Sequence, residues 1–341
     1  MCALPRASDR QGTLADEKNW LRSWIDETYL RYLEVRGLSA ATLDPANSAT
    51  PIDYFNVLKS PLITTSGNPK DKFHFTYDTP TWVALSQSGI EFGYGFEIAL
   101  LSAKPPRQAV VAYTDPGTPA SPAGIARGAT ILTVDGLDFV NASIPADVLA
   151  INVGLFPKAA GTHTFTIMDL GAPASRTVTL SAAAITKTPV QNVMTLPAPN
   201  QGIGYLQFND HVATSEAQLL AAIAQLKAAA VTDLVLDIRY NGGGFLDIAS
   251  ELAYMIAGPA NTNGKTFERL IFNDKNPFQL TAAHSATPFR NVSQGFSGAA
   301  GQPLPFLGLD RVYVLAGPGR ACARRAKPSS TACAAPACGS T

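Results

Sequence analysis

Cysteine is the first scarcity. Cys2 stands alone at one end, Cys322, Cys333 and Cys338 cluster at the other, and the body of the 341-residue chain between them has none. A disulfide framework is thereby excluded for that body. The spacing of the last three cysteines fits no common zinc pattern; a tail of different origin from the rest accounts for them better. Long apolar runs are also missing, and nothing approaches the ~18 residues of a membrane span. Met1–Gly12 lacks an apolar h-region, so no signal peptide is present as written. That fits a cytoplasmic protein or a start codon placed too late. Excess charge of either sign is absent too: Lys+Arg and Asp+Glu are 26 each, and no basic stripe precedes residue 320. A nucleic-acid footprint is excluded on that ground. What is present is a hydrophobic fraction of 46%, enough for a sizeable core in two or three domains.

Periodicity divides the chain. Residues 13–35 read as an amphipathic helix: Thr13 is an N-cap with Asp16 three residues on, and Trp20, Leu21, Trp24 and Ile25 recur at helical spacing. Residues 36–85 carry Pro45, Pro51, Pro61, Pro69 and Pro80, which break up any long element. Short strands are predicted at Phe96–Leu101, Ala109–Thr114, Ala129–Val134, Thr162–Asp169 and Ser175–Leu180, with a helix near Ala146–Val153. Residues 185–200 read as a linker. A βαβ pattern follows: strand Gly204–Phe208, helix Ser215–Ala230, buried strand Leu234–Ile238, helix Leu246–Ala257 and a further buried strand at Val312–Leu315. The expected fold class is α/β. The expected domains are an N-terminal helical and irregular segment (1–85), a small mostly-β domain (86–185), a layered βαβ core (186–319) and an aberrant tail (320–341).

The chemistry-bearing segment is Asp237-Ile-Arg239-Tyr-Asn241-Gly242-Gly243-Gly244, where a buried strand runs through three glycines into a helix. Glycines allow close backbone approach, and N–H groups at a helix start favour negative charge. Such a loop can hold a phosphate or a developing oxyanion, or simply turn the chain. The G-x-G-x-x-G fingerprint fails, because Asp247 stands where its last glycine belongs. The stretch Gly258–Thr266 imitates a phosphate loop, but it has one residue too many between its glycines and follows a helix.

The oxyanion reading coincides with a resemblance. Asp237–Gly244 looks like the D-L-R-x-N-x-G-G signature of C-terminal-processing (tail-specific) serine peptidases. Gly202-Ile-Gly-Tyr-Leu-Gln-Phe208, Gly264–Asp274 and Arg311–Gly319 are also similar to segments of that family. The resemblance covers roughly residues 15–319 and implies a ClpP/crotonase-like core. It implies that Gly243, with Gly242 as second choice, supplies an oxyanion N–H, and that Asp237, Arg239 and Asn241 support the loop. No metal or organic cofactor is implied. The partner implied is a peptide or protein substrate with an accessible C-terminal tail. Family members usually act outside the cytoplasm, and Cys2 is then either a lipid-anchor cysteine or incidental.

Gly93-Tyr94-Gly95-Phe96 resembles the carboxylate-binding loop of PDZ domains, in which loop N–H groups hold a peptide terminus while the peptide adds as an edge strand. Ala123–Gly136 is similar to a second PDZ segment, with Ala129 and Asp135 departing from its pattern. An ordinary β-hairpin with turn glycines is the competing reading.

The family's serine nucleophile lies in a segment close to S-A-S-E-x-x-x-N-G-L-R-G, and its lysine base comes later. Neither is written here: no catalytic residue is present, the serine being expected near Arg324 and the lysine beyond Thr341. A frameshift just past Gly319 accounts for this. When the first two codon bases of each residue from Arg324 to Ala335 become the last two of a shifted codon, the twelve positions can read S-A-S-E-A-V-I-N-G-L-R-G. The expected product is an inactive chain. The alternative is a non-catalytic peptide-binding protein working through Gly93–Phe96. His74, His163, His211 and His284 lie in separate segments with no G-x-S-x-G, so a Ser-His-Asp triad is not expected.

Overall fold

A computed structural model of the chain describes residues 10–317. The N-terminal segment is helical. α1 (Leu14–Thr28) starts with a capping box in which Thr13 and Asp16 satisfy each other's backbone N–H groups. The helix predicted over 13–35 is interrupted, because Tyr29 turns to extended backbone before α2 (Tyr32–Arg36) resumes. α3 (Ala40–Leu43), α4 (Pro51–Val57) and α5 (Thr79–Ser88) follow. The elements here are short, as the prolines predict, and three of those prolines also begin them: Pro51 and Pro80 sit in the first turns of α4 and α5, and Pro45 opens a 3-10 turn. The N–H that proline lacks has no helical acceptor at that position, so nothing is lost there. Ile25, Val35, Tyr54 and Leu58 form a small core of their own.

The middle segment is a mostly-β module. It contains β1 (Ile90–Gly93), β2 (Phe96–Ser102), β3 (Gln108–Thr114), β4 (Thr130–Val134), β5 (Leu137–Asp138), α6 (Pro145–Leu155), β6 (Thr162–Met168), β7 (Arg176–Ser181) and β8 (Ala183–Thr186). The main sheet runs β2-β3-β4-β6-β7 with β5 beside β4, so β2 is an edge strand. β1 pairs antiparallel with β8 and closes the module at its own start and end. Val111, Ile131, Phe165 and Ile167 fill the core, and α6 adds Ile151 and Leu155.

The third segment comprises β9 (Val190–Thr195), β10 (Ile203–Phe208), α7 (Ser215–Ala228), β11 (Asp233–Asp237), α8 (Leu246–Thr262), β12 (Thr266–Arg269), β13 (Ala286–Pro288) and β14 (Val312–Leu315). Its sheet runs β14-β11-β10-β9; β10, β11 and β14 are parallel and β9 is antiparallel. Leu219, Ile223 and Leu226 of α7 and Ile248, Leu252 and Met255 of α8 cover it. Gly258 (φ 71°) breaks α8 ahead of Pro259, just past the helix end predicted at Ala257. The fold is thus mixed α/β with several sheets.

Two expectations need correction. Residues 185–200 are not a linker, because they contain β9, whose edge position lets polar residues occupy a strand. Val312–Leu315 is a strand but not a buried one. All four residues are exposed, because β14 is the sheet edge and no described element covers it.

Candidate functional site

The glycine loop leaves the C-terminal end of β11 and enters α8, and a buried apparatus holds it on both sides. Asp237 is fully buried. It accepts from Tyr205 Oη (2.6 Å), Arg239 Nε (2.9 Å), Arg239 Nη2 (2.5 Å) and the Arg239 backbone N–H (3.1 Å). Burial pushes its carboxyl up, but the bonds from Arg239 and Tyr205 outweigh this and hold it below the usual carboxylate range. The Asp237 bonds in turn raise the Arg239 guanidinium.

Asn241 is the inner brace. Its Nδ2 donates to the Phe208 carbonyl (3.0 Å), and its Oδ1 accepts from the Gly243 N–H at 2.8 Å. The Gly242 N–H donates to the Asn209 carbonyl (2.8 Å). Both N–H groups singled out from the sequence are therefore engaged within the protein.

Asn209–His211, just past β10, is the part of the site that sequence reasoning missed. The His211 N–H donates to the Gly243 carbonyl, and the His211 carbonyl accepts from Phe245, each at 2.8 Å. The His211 ring stacks on Phe208 at 4.6 Å. Burial lowers its pKa to about 4, so it is neutral. Backbone contacts of this kind leave no motif in a sequence. The other histidines lie apart: His74 bonds the Phe55 carbonyl, His163 bonds Asp135 (2.6 Å) and His284 bonds Thr281.

Residues 93–96 lie at the β1–β2 junction of the β module. They line a cavity of 230 Å³ together with Glu91, Glu97, Leu155 and Phe156. A second cavity of 430 Å³ continues between β2 and α6, lined by Ile98, Leu100, Val148 and Ile151. Lys187 stands between the two regions. It pairs with Glu91 (3.2 Å), Glu97 (3.8 Å) and Asp210 (3.5 Å). Burial works against its charge, but Asp210, Tyr113, Glu91 and Glu97 prevail and keep the ammonium protonated. Tyr113 and Arg127 of the β module also meet Tyr240 of the glycine loop. Among the described residues no three His, Cys, Asp or Glu side chains gather as metal ligands.

Residues 202–285, from β10 through the glycine loop and α8 to the residue before β13, match peptidase family S41. This stretch, the S41 core, is similar to that family. The chain is 28% identical over 138 residues to a carboxyl-terminal-processing protease of the cyanobacterium Picosynechococcus, covering 40% of this chain and 32% of that one. It is 31% identical over 160 residues to the chloroplastic C-terminal processing peptidase of Tetradesmus obliquus, covering 44% and 34%. The match thus spans about a third of each curated relative. A solved S41 protease structure from Bacteroides fragilis superposes with a TM-score of 0.55 at 21% identity, over 91% of this chain and 73% of that chain, a likeness of fold.

In the S41 core a carboxylate pair fastens the segment that packs on the glycine loop. Glu216 of α7 and Glu251 of α8 are both buried and both accept from the Gln294 N–H at 2.8 Å. Glu216 also accepts from Gly295 and Ser297, each at 2.9 Å. Phe296 stacks on Phe245, the residue after Gly244, at 4.6 Å. Two buried carboxyls that face the same N–H repel when both are charged, which favours the protonated form of Glu251. Burial, and after it the neighbouring Glu216, push Glu251 up to about 8, against the Gln294 N–H. Because the folded value lies above the ordinary one, the folded chain holds the extra proton. The stability it brings falls as pH rises from the ordinary Glu range through about 8. The melting temperature of Glu251→Gln is expected to fall less between pH 6 and pH 9 than that of the wild type. Parallel decline of the two proteins would rule out a raised Glu251 carboxyl.

Proposed function

We propose that the chain represents a serine-type peptidase that hydrolyses peptide bonds in protein tails, with a ClpP/crotonase-like core and a PDZ-like module. The observation that carries this reading is the glycine loop at the β11–α8 junction, braced from below by Asp237, Asn241 and His211. In this reading a serine attacks the scissile carbonyl, a lysine takes its proton, and the Gly243 N–H stabilises the oxyanion. The oxyanion replaces Asn241 Oδ1 as acceptor, with Gly242 as the alternative donor. Loss of such a donor typically costs ~10²–10³ in rate. Asp237 and Arg239 act through the loop's position.

The serine expected near Arg324 and the lysine expected beyond Thr341 lie outside the described residues. Residues 320–341 as written hold no S-A-S-E segment. The 341-residue product is therefore expected to be inactive. A gene with the frame restored past Gly319 and continued through the lysine is expected to cleave an unfolded protein substrate and to react with a fluorophosphonate probe. Robust hydrolysis by the pure 341-residue chain, or locus DNA that does not encode S-A-S-E in the alternative frame, would overturn this.

A second reading is favoured by the groove along β2: a non-catalytic protein that binds peptide termini through Gly93, Tyr94, Gly95 and Phe96. Among the described residues no helix is long and apolar enough to cross a membrane. By likeness to the cyanobacterial and chloroplast relatives, we place its action outside the cytoplasm or in an organelle lumen.

A further inference from the structure

Among the described residues the sheet of the S41 core ends on β9 at one side and on β14 at the other, and only the β9 edge is guarded. β9 carries Gln191, Asn192 and Thr195, shifts register against β10, and holds Asn192 at a left-handed φ of 53°. Polar residues and irregularities of this kind keep an edge from pairing with another chain. β14 has none of them. It pairs with β11 without a register shift, and Val312, Tyr313, Val314 and Leu315 are 39–52% exposed. Arg311, the charge that precedes the strand, is drawn to Asp233 (2.9 Å). The sequence that follows brings nothing apolar of comparable size: from Ala316 to Thr341 there is no Val, Ile, Leu, Met, Phe, Tyr or Trp.

Backbone direction decides how this edge can pair. The Ile238 N–H donates to the Leu315 carbonyl (2.9 Å). Leu315 and, two residues back, Tyr313 thus turn their backbone groups to β11, and Val312 and Val314 aim theirs away from the sheet. In an antiparallel ladder a hydrogen-bonded pair of residues exchanges both its bonds. Val312 of one copy set against Val314 of another therefore satisfies every outward N–H and C=O of both strands. Tyr313 then faces Tyr313 of the second copy across a two-fold axis. This register groups the valines of both copies on one face and the two tyrosines on the other, and it opposes no like charges.

We propose that β14 is a self-association edge, on which a second copy of this chain adds antiparallel to make one continuous sheet. The closed two-fold form follows from the guarded β9 edge, because β14 against β9 would propagate as a filament. One short strand buries far less than the ~1,200 Å² at which stable interfaces begin, so the dimer is expected to half-form on the order of 10–100 µM.

Sedimentation velocity of the 341-residue chain under reducing conditions, from well below to well above that range, tests it. Val314→Lys sets a charge on the pairing edge, and Val314→Pro removes an N–H that β11 does not use. Each change acts twice across the axis, so each is expected to weaken the dimer about tenfold or more. Thr195→Lys, on the β9 edge, should leave it unchanged. Tyr313→Cys, in a chain whose own 4 cysteines are serine, should crosslink on mild oxidation, because Cα atoms opposed across the axis lie within disulfide reach. A chain that stays monomeric throughout, or a dimer that both Val314 variants leave intact, would overturn the proposal. A dimer without the Tyr313→Cys crosslink would overturn the antiparallel pairing.

Discussion

Replacing Gly244 with alanine is expected to destabilise the S41 core by about 3–5 kcal/mol, the sum of backbone strain and overpacking. Gly244 has φ 139°, a conformation that L side chains rarely adopt. A Cβ there would also run into the His211 carbonyl, which is backbone and is held by the Phe245 N–H. Nothing flexible can give way. Gly264→Ala is the matched control: its φ is 70° and the space around it is open, so it meets strain without a clash. Gly242→Ala should fall between them, because the Asp210 carboxylate it meets can move at the expense of its pairing with Lys187. Thermal melting checks this. Gly244→Ala should lower the transition by roughly 10 °C. A loss no larger than that of Gly264→Ala would show that the loop is not clamped by Asn209–His211.

Asp237→Ala is expected to cost about 2–4 kcal/mol at pH 7. The change removes the acceptor for Tyr205 and for three Arg239 donors at once. Breaking a buried charge pair typically costs about 3–5 kcal/mol. The Arg239 side chain is 35% exposed and recovers some bonds from water, which brings the figure down. The pH dependence has a definite sign. The Asp237 carboxyl is held below its ordinary value in the folded chain, so its stabilisation is present above the ordinary carboxylate range. It is lost as pH falls through the lowered folded value. Urea midpoints of wild type and Asp237→Asn should therefore lie far apart at pH 7 and converge toward pH 3. A gap that does not change with pH would remove the ionic account of this residue.

Much of the S41 core was legible before any coordinates. Leu219, Ile223 and Leu226 announce the buried face of α7, and the apolar run at 234–238 announces β11. The strand-to-helix glycine loop needs only its own residues to be recognised, because positive-φ backbone at a tight turn selects glycine locally. β9 was hidden because an edge strand does not require an apolar run. The helices at Pro51 and Pro80 were hidden because a proline that starts a helix and one that stops it look alike in isolation. β14 shows the reverse: four apolar residues predict a strand, but whether that strand is covered depends on what packs beside it.

What the sequence determined by itself was local: the order of strands and helices, the family motif, and the candidate roles of Gly242 and Gly243. The glycine loop that opened the chemical argument gained its detail only in three dimensions. Tertiary structure decided that Asn241 and Asn209 occupy the N–H groups of Gly243 and Gly242, and that His211 clamps the loop from beneath. It also decided that Glu216 shares a site with Glu251, and that Lys187 joins two acids of the β module to Asp210 of the core. Each of these joins residues from different elements. Periodicity and turn chemistry act over a few residues, whereas a buried charge or backbone donor takes whatever partner the packed chain brings within reach.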